Sequence, residues 1–360
     1  MKWRVLLVAV LLVFCLAFSN PRVVSTLDIP DTADIEVLIL VTNGFGWNYF
    51  DAKDCLELWG VNVTTVAYAL DYEIDSCLNR EPRPITADLL MSEMTTEMVQ
   101  EFDCLLVTSG GHWASLIADN TVLNFISDAY DLGLVVASIC TGTRVVAEAN
   151  GIVNGCKVIE FSLSMGQMAL AGATTVYGIE AITDGQIITG GRGGGTGGGG
   201  WLEAPTSEVC AEIVRQVLGL SRVTNSSITP ARGPSGTTFT IVADTSNLNE
   251  SLGEILSTDI EEVTAQIYVL GNRTLIDTIE LTNPDQNGNY TGYFVGLEDG
   301  DYIVDIEIED SNSTLEVVRE LETFSVGIEP TQPIDVVLIS TVTGGSIIII
   351  ILVVALTRKK

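Results

Sequence analysis

Positive charge is what this chain has least of. Its 360 residues carry 17 Lys and Arg against 47 Asp and Glu, a formal charge of −30 with the single His neutral. Binding to nucleic acid draws its affinity from Lys and Arg that neutralise phosphates and release counterions, and no basic stripe exists here to do that. No nucleic-acid partner is expected. With one His and no Cys-X-X-Cys, no ligand set for zinc or an iron–sulfur cluster stands out, so no metal is expected. The glycine-rich run 190–200 lacks a Lys-Ser/Thr ending and is not a phosphate-binding P-loop; no cofactor is expected. No internal repeat is evident.

The few positives that exist are unevenly placed. Lys2, Arg4, Arg358, Lys359 and Lys360 lie at the two ends, which leaves the stretch between residues 20 and 357 at a balance of −35. Met1 to Arg4 is positive, Val5 to Phe18 is almost wholly apolar, and Ala17 and Ser19 are small. That layout predicts a secretory signal over 1–19, with an uncleaved anchor as the alternative. Val336 to Thr357 is uncharged and rich in Ile and Val, and a helix needs ~20 apolar residues to span the hydrocarbon core. The basic residues 358–360 follow as a cytoplasmic tail. The expectation is a single-pass protein of the cell membrane, partnered to the bilayer through one C-terminal transmembrane helix, 336–357, with its N-terminal domains exterior. A lipid-anchor signal is the alternative for the tail. The excess acid then solvates an exterior surface.

Between the ends, composition changes near residue 221. From Asp34 to Leu220, apolar strand-length runs (Glu36 to Thr42, Val61 to Tyr68, Asp103 to Ser109, Leu134 to Ile139) alternate with helical patterns (Tyr49 to Trp59, Val122 to Asp131). This predicts an α/β domain over 34–220, a parallel sheet covered by helices on both faces. After Ser221 the period becomes two. Asp301 to Asp310 sets Val304, Ile306 and Ile308 on one face and Asp305, Glu307 and Glu309 on the other, and five similar strands accompany it. An all-β, immunoglobulin-like sandwich over 221–329 is expected. Asn-X-Ser/Thr sequons at Asn62, Asn225, Asn249, Asn272, Asn289 and Asn312 fit an exterior, glycosylated protein.

Of the cysteines past the signal (55, 77, 104, 140, 156, 210), Cys55 with Cys77 is the first candidate disulfide, while Cys104 and Cys156 read as buried thiols. Cys140 follows a strand directly and opens a helical stretch from Thr143, with Ser138 and Gly142 two places to either side. A nucleophile on a sharp strand-to-helix turn needs small neighbours at those places, and a helix start favours thiolate. Ser109-Gly110-Gly111-His112 ends the preceding strand and brings a backbone N–H to the same edge, where it could serve an oxyanion.

The runs DCLLVTSGGHWASL, VVASICTGTRVVAEANGIVNGCKV and DGQIITGGRGGGT together resemble the ThiJ/PfpI family of the class I glutamine amidotransferase-like superfamily, over about residues 34–220. The resemblance implies a flavodoxin-like fold, Cys140 as the elbow cysteine, and Gly111 and Thr141 beside the oxyanion. Its members include peptidases, glyoxalase-like or deglycase-like enzymes, chaperones and redox sensors, often dimeric or larger, so a homo-oligomer is one expectation. Two departures stand out. Peptidase-like members carry His directly after the cysteine, where this chain has Thr141, and the glutamate that other members place on the first helix falls on Tyr49, with Asp51 two residues on.

Two readings of different class follow. One is a cysteine-dependent hydrolase or lyase acting on a small carbonyl or amide compound, with Cys140 as nucleophile, His112 as proton carrier, and Tyr49 or Asp51 in support. Arg192 in the glycine run would be a charge clamp on a lid. The other is a catalytically silent ectodomain that binds a small-molecule or peptide ligand or a protein, with the sandwich as spacer.

Overall fold

The structure is a computed structural model that describes residues 32–76, 83–163, 166–191, 204–245, 260–296 and 298–327, and the backbone of two later strands. The expected signal 1–19, Cys77, Arg192, Asn249 and the tail 358–360 lie outside the described residues.

In the first half, β1 (Glu36–Val41), β2 (Asn62–Ala67), β3 (Leu89–Leu90), β4 (Cys104–Val107) and β5 (Val135–Ile139) lie parallel in the order β3-β2-β1-β4-β5. Helices α1 (Asn48–Leu58), α2 (Trp113–Ile117), α3 (Asn120–Asp131), α4 (Gly142–Glu148) and α5 (Thr206–Val217) accompany them. Strand β1 shows why two helical layers are needed. Val37, Ile39 and Val41 share a core with Ala52 and Leu56 of α1 and Val209 and Ile213 of α5. Leu38 and Leu40 share another with Ile126 of α3 and Val145 and Val146 of α4. Successive strand residues point to opposite faces, and each such side chain removed from water contributes roughly 1.5–3 kcal/mol.

The expected all-parallel sheet is mixed. Strand β6 (Ala181–Asp184) runs antiparallel to β7 (Ile187–Gly190), which is itself parallel to β5. Only Gly185 and Gln186 connect β6 to β7, and a two-residue link can return the chain only as a hairpin.

The second half supplies β8 (Asn225–Thr229), β9 (Thr237–Asp244), β10 (Ile260–Val269), β11 (Leu275–Glu280), β12 (Asn289–Gly296), β13 (Gly300–Asp310) and β14 (Thr314–Val326). Strands β8-β9-β12 form one antiparallel sheet and β11-β10-β13-β14 another. Alternate residues of both meet in one core, with Phe239 of β9 and Phe324 of β14 at 4.5 Å between ring centroids. This half is not a bead on a string. The first residues of β14 pair in parallel with β6, from Ala181 with Thr314 to Asp184 with Val317, so a 12-stranded sheet runs through both halves.

Buried charge reinforces that junction. Glu212 and Arg215 on α5, Arg222 before β8, Asp310 ending β13 and Glu316 on β14 are all at most 5% exposed. Arg222 lies 2.6 Å from Asp310 and 3.2 Å from Glu212, and Arg215 lies 3.2 Å from Glu316 and is paired with Glu212. Burial alone would raise the Glu212 carboxyl, but Arg215 and Arg222, with hydrogen bonds from Arg215 and Thr183, hold it at about 2. A second strut joins Arg319 of β14 to both oxygens of Asp184 on β6, at 2.6 and 2.7 Å.

The segment expected as a membrane-spanning helix contains β15 (Val337–Thr343) and β16 (Ser346–Leu352), an antiparallel pair. Ile and Val favour extended backbone over helix, and Gly344-Gly345 interrupts the run. Among the described residues no helix is long and apolar enough to cross a membrane.

Candidate functional site

Cys140 stands between β5 and α4 with φ 51°, in the left-handed region that side chains rarely adopt. The conformation is held from several sides. The Cys140 N–H donates to the Gly190 carbonyl at 2.8 Å, and its own carbonyl accepts from the Thr143 hydroxyl at 2.7 Å. That hydroxyl also accepts the Phe161 N–H at 3.0 Å. The small residue at 142 has a steric reason: a Cβ there would lie 2.2 Å from the Val107 carbonyl oxygen, so α4 can start this close to β4 only with Gly142.

The neighbouring loop is stitched to the elbow by Thr141. Its hydroxyl accepts the Gly110 N–H at 2.9 Å and donates to the Gly110 carbonyl at 3.1 Å. Gly110 has φ +135°, and a Cβ on it would meet Gly46 N at 2.2 Å, so this residue must be glycine as well. Gly111 is exposed, and its N–H has no hydrogen-bond partner among the described residues. Two positions that the sequence reading missed brace the loop from behind. The Ser109 hydroxyl donates to Asn48 Oδ1, and Asn48 Nδ2 donates to Thr206 Oγ1 at 2.9 Å. The polar Asn48 amid apolar neighbours was the only signal of this.

The thiol is 4% exposed, and burial pushes it up to about 11, with only the Thr141 N–H pulling the other way. His112 is placed differently from the expected proton carrier. It is 1% exposed; Nε2–H donates to the Thr108 carbonyl at 3.0 Å, and Nδ1 accepts the Thr42 N–H at 3.4 Å. Both ring nitrogens are taken up by backbone rather than by sulfur, and burial pushes the imidazole down to about 4. Tyr49 is also engaged elsewhere, its hydroxyl 2.7 Å from Thr65 Oγ1 and its ring edge-on to Phe45. Asp51 is exposed on α1, and its carboxyl is raised by partial burial and then by the charge of Asp54. The structure therefore gathers Cys140, Thr141 and the Gly110–Gly111 loop, engages His112 and Tyr49 elsewhere, and leaves Asp51 exposed on α1.

Arg144, on the first turn of α4, stacks over Trp113 at 3.5 Å and reaches Gln167, which in turn donates to Glu148 at 3.1 Å. A cleft of about 510 Å³ is lined by Glu160, Ser162, Tyr177 and Ile179 among others. No group of three His, Cys, Asp or Glu among the described residues could hold a metal ion. Of the sequons, Asn62, Asn225, Asn272, Asn289 and Asn312 are exposed.

Residues 35–196, with the elbow and its loop inside them, match the DJ-1/PfpI family model. This segment is a DJ-1/PfpI family domain. Solved structures similar to the chain include a ThiJ/PfpI domain protein from Brachyspira murdochii, 20% identical, covering 52% of this chain and 98% of that one with a TM-score of 0.43. DJ-1 from Schizosaccharomyces pombe is 15% identical over 51% of this chain and 92% of its own, TM-score 0.42. DJ-1beta from Drosophila melanogaster is 19% identical over 51% and 91%, TM-score 0.41. A comparison with curated proteins finds no match.

Proposed function

We propose that this protein is a DJ-1/PfpI-type ectodomain that binds a ligand without turning it over, held at the outer face of the cell membrane by its C-terminal apolar segment. The observation that carries the reading is the state of Cys140. Only burial and the Thr141 N–H act on the thiol, and the one imidazole bonds Thr42 and Thr108. The cleft lined by Glu160, Ser162, Tyr177 and Ile179 is of a size that suits a small molecule or a short peptide segment. The strand order β8-β9-β12 against β11-β10-β13-β14 supports an immunoglobulin-like sandwich, which serves as a stiff stem. Exposed sequons and the acid excess support a glycosylated exterior surface, and the basic 358–360 after the apolar run supports anchoring. Family resemblance adds the expectation of a homo-oligomer.

Iodoacetamide tests this. A thiol at about 11 holds roughly one part in ten thousand as thiolate at neutral pH, against a few per cent for an ordinary cysteine. Cys140 in the folded chain should therefore label at least about a hundredfold more slowly than in urea. Rapid labelling that disappears in Cys140→Ser would overturn the reading.

The cysteine hydrolase or lyase keeps one specific observation in its favour. The left-handed Cys140 costs on the order of 1–2 kcal/mol, and the open Gly111 N–H beside it is suited to an oxyanion. In that reading Cys140 attacks, the Gly111 and Thr141 N–H groups hold the oxyanion, and His112 must first leave Thr42 and Thr108. Turnover of a small carbonyl or amide compound, lost in Cys140→Ser, would select it.

A further inference from the structure

Cys55 lies in the last turn of α1 and Cys210 in the second turn of α5, two helices packed on the same face of the sheet. The Cys210 Sγ is 3.8 Å from the carbonyl oxygen of Ala52, one turn before Cys55, and Cys55 packs against the apolar cluster that contains Cys210. Cys55 is half-buried, whereas Cys210 is fully buried. We propose that Cys55 and Cys210 are a redox pair, closed to a disulfide by exchange with a small disulfide of the glutathione class.

The two sulfurs divide the work. Cys55 is reachable, and the neighbouring Cys210 lowers its pKa, while Cys55 and burial raise Cys210. The Cys55 thiolate attacks one sulfur of the small disulfide, breaking its S–S bond and releasing one small thiol. Cys210 then gives up its proton and attacks Cys55 sulfur in the mixed disulfide, expelling the second small thiol. Two protein thiols are oxidised and one small disulfide is reduced to two thiols, so the electrons balance. A bond here ties α1 to α5, the helices that carry Asn48 and Thr206, the pair that braces the Ser109 loop. The inference does not depend on whether Cys140 reacts. It also replaces Cys55 with Cys77 as the pairing to test first.

The full-length protein, incubated with oxidised glutathione, acid-quenched, alkylated and digested, should yield a linked peptide joining Cys55 to Cys210, reversed by dithiothreitol. The link should vanish in Cys55→Ser, which leaves buried Cys210 in place, and persist in Cys77→Ser. The oxidised chain should also melt several degrees higher than the reduced one, since the bridge closes a long loop. Separate alkylation of both cysteines after oxidation, a stable glutathione adduct on Cys55, or a peptide joining Cys55 to Cys77 would each overturn the proposal.

Discussion

The elbow and the junction between the two halves are both buried and polar, and they treat charge in opposite ways. At the elbow the titratable groups are kept neutral, the Cys140 thiol pushed up to about 11 and the His112 imidazole down to about 4. At the junction each buried carboxylate faces a guanidinium, and the Glu212 carboxyl is held at about 2. Desolvation acts on both regions; the difference is whether a partner of opposite charge is present to outweigh it. The paired junction also joins the two halves where β14 lies beside β6. The molecule has placed its buried charge where two halves join rather than where chemistry would occur.

The largest effect should come from leaving a junction charge alone. Arg222→Ala removes the group facing Glu212, Asp310 and Glu316 and should cost about 3–5 kcal/mol in chemical unfolding. Cys140→Ala should cost much less, because it deletes one neutral sulfur and leaves no charge behind. Equal losses from the two substitutions would show that the contrast is not energetic.

Acid sharpens the comparison, since the two regions respond in different windows. His112 falls from an ordinary 6.5 to about 4 on folding, so the unfolded chain takes up the proton first. Its contribution is complete above pH 6.5 and is lost as pH falls towards 4, by about 3 kcal/mol over that interval. Glu212, held at about 2 against an ordinary 4.5, is likewise depressed, so its share is present above pH 4.5 and fades as pH falls towards 2. Asparagine can still accept from Thr42 and donate to Thr108. His112→Asn should therefore flatten the stability curve between pH 6.5 and 4.5 and leave the lower limb intact, as followed by urea midpoints at each pH.

The elbow was readable because its requirements are local. A strand, a tight turn and a helix start impose small residues at Ser138 and Gly142, and the Gly142 contact with the Val107 carbonyl is the steric reason. The alternating strands of the second half were readable for a similar reason, since one buried face enforces a period of two. What could not be read was anything decided by partners distant in sequence. His112 sits in the expected loop, but its hydrogen bonds to Thr42 and Thr108 depend on how β1 and β4 lie side by side. Glu212, Arg215, Arg222, Asp310 and Glu316 look like ordinary surface charges in the sequence, and only the pairing of β6 with β14 buries them together. The apolar run 336–357 satisfied a hydropathy rule for a helix, yet its β-branched residues and Gly344-Gly345 equally suit the strand pair that is present.

The smallest effect tests whether the elbow is as isolated as its geometry indicates. Tyr49, expected from the sequence resemblance to stand in the place of a glutamate, directs its hydroxyl to Thr65. Tyr49→Phe removes that bond and leaves the Thr65 hydroxyl buried without it, a cost of about 1–2 kcal/mol by thermal or urea unfolding. If Tyr49 acts only through packing, the alkylation rate of Cys140 and its pH dependence should stay unchanged in this variant, because no proton-bearing group near the sulfur has been removed. A shift in the pH profile of Cys140 labelling would mean that the phenol does reach the thiol electrostatically. The elbow would then resemble the junction in being governed by a partner, and the division between a neutral site and a charged seam would fail at its weakest point.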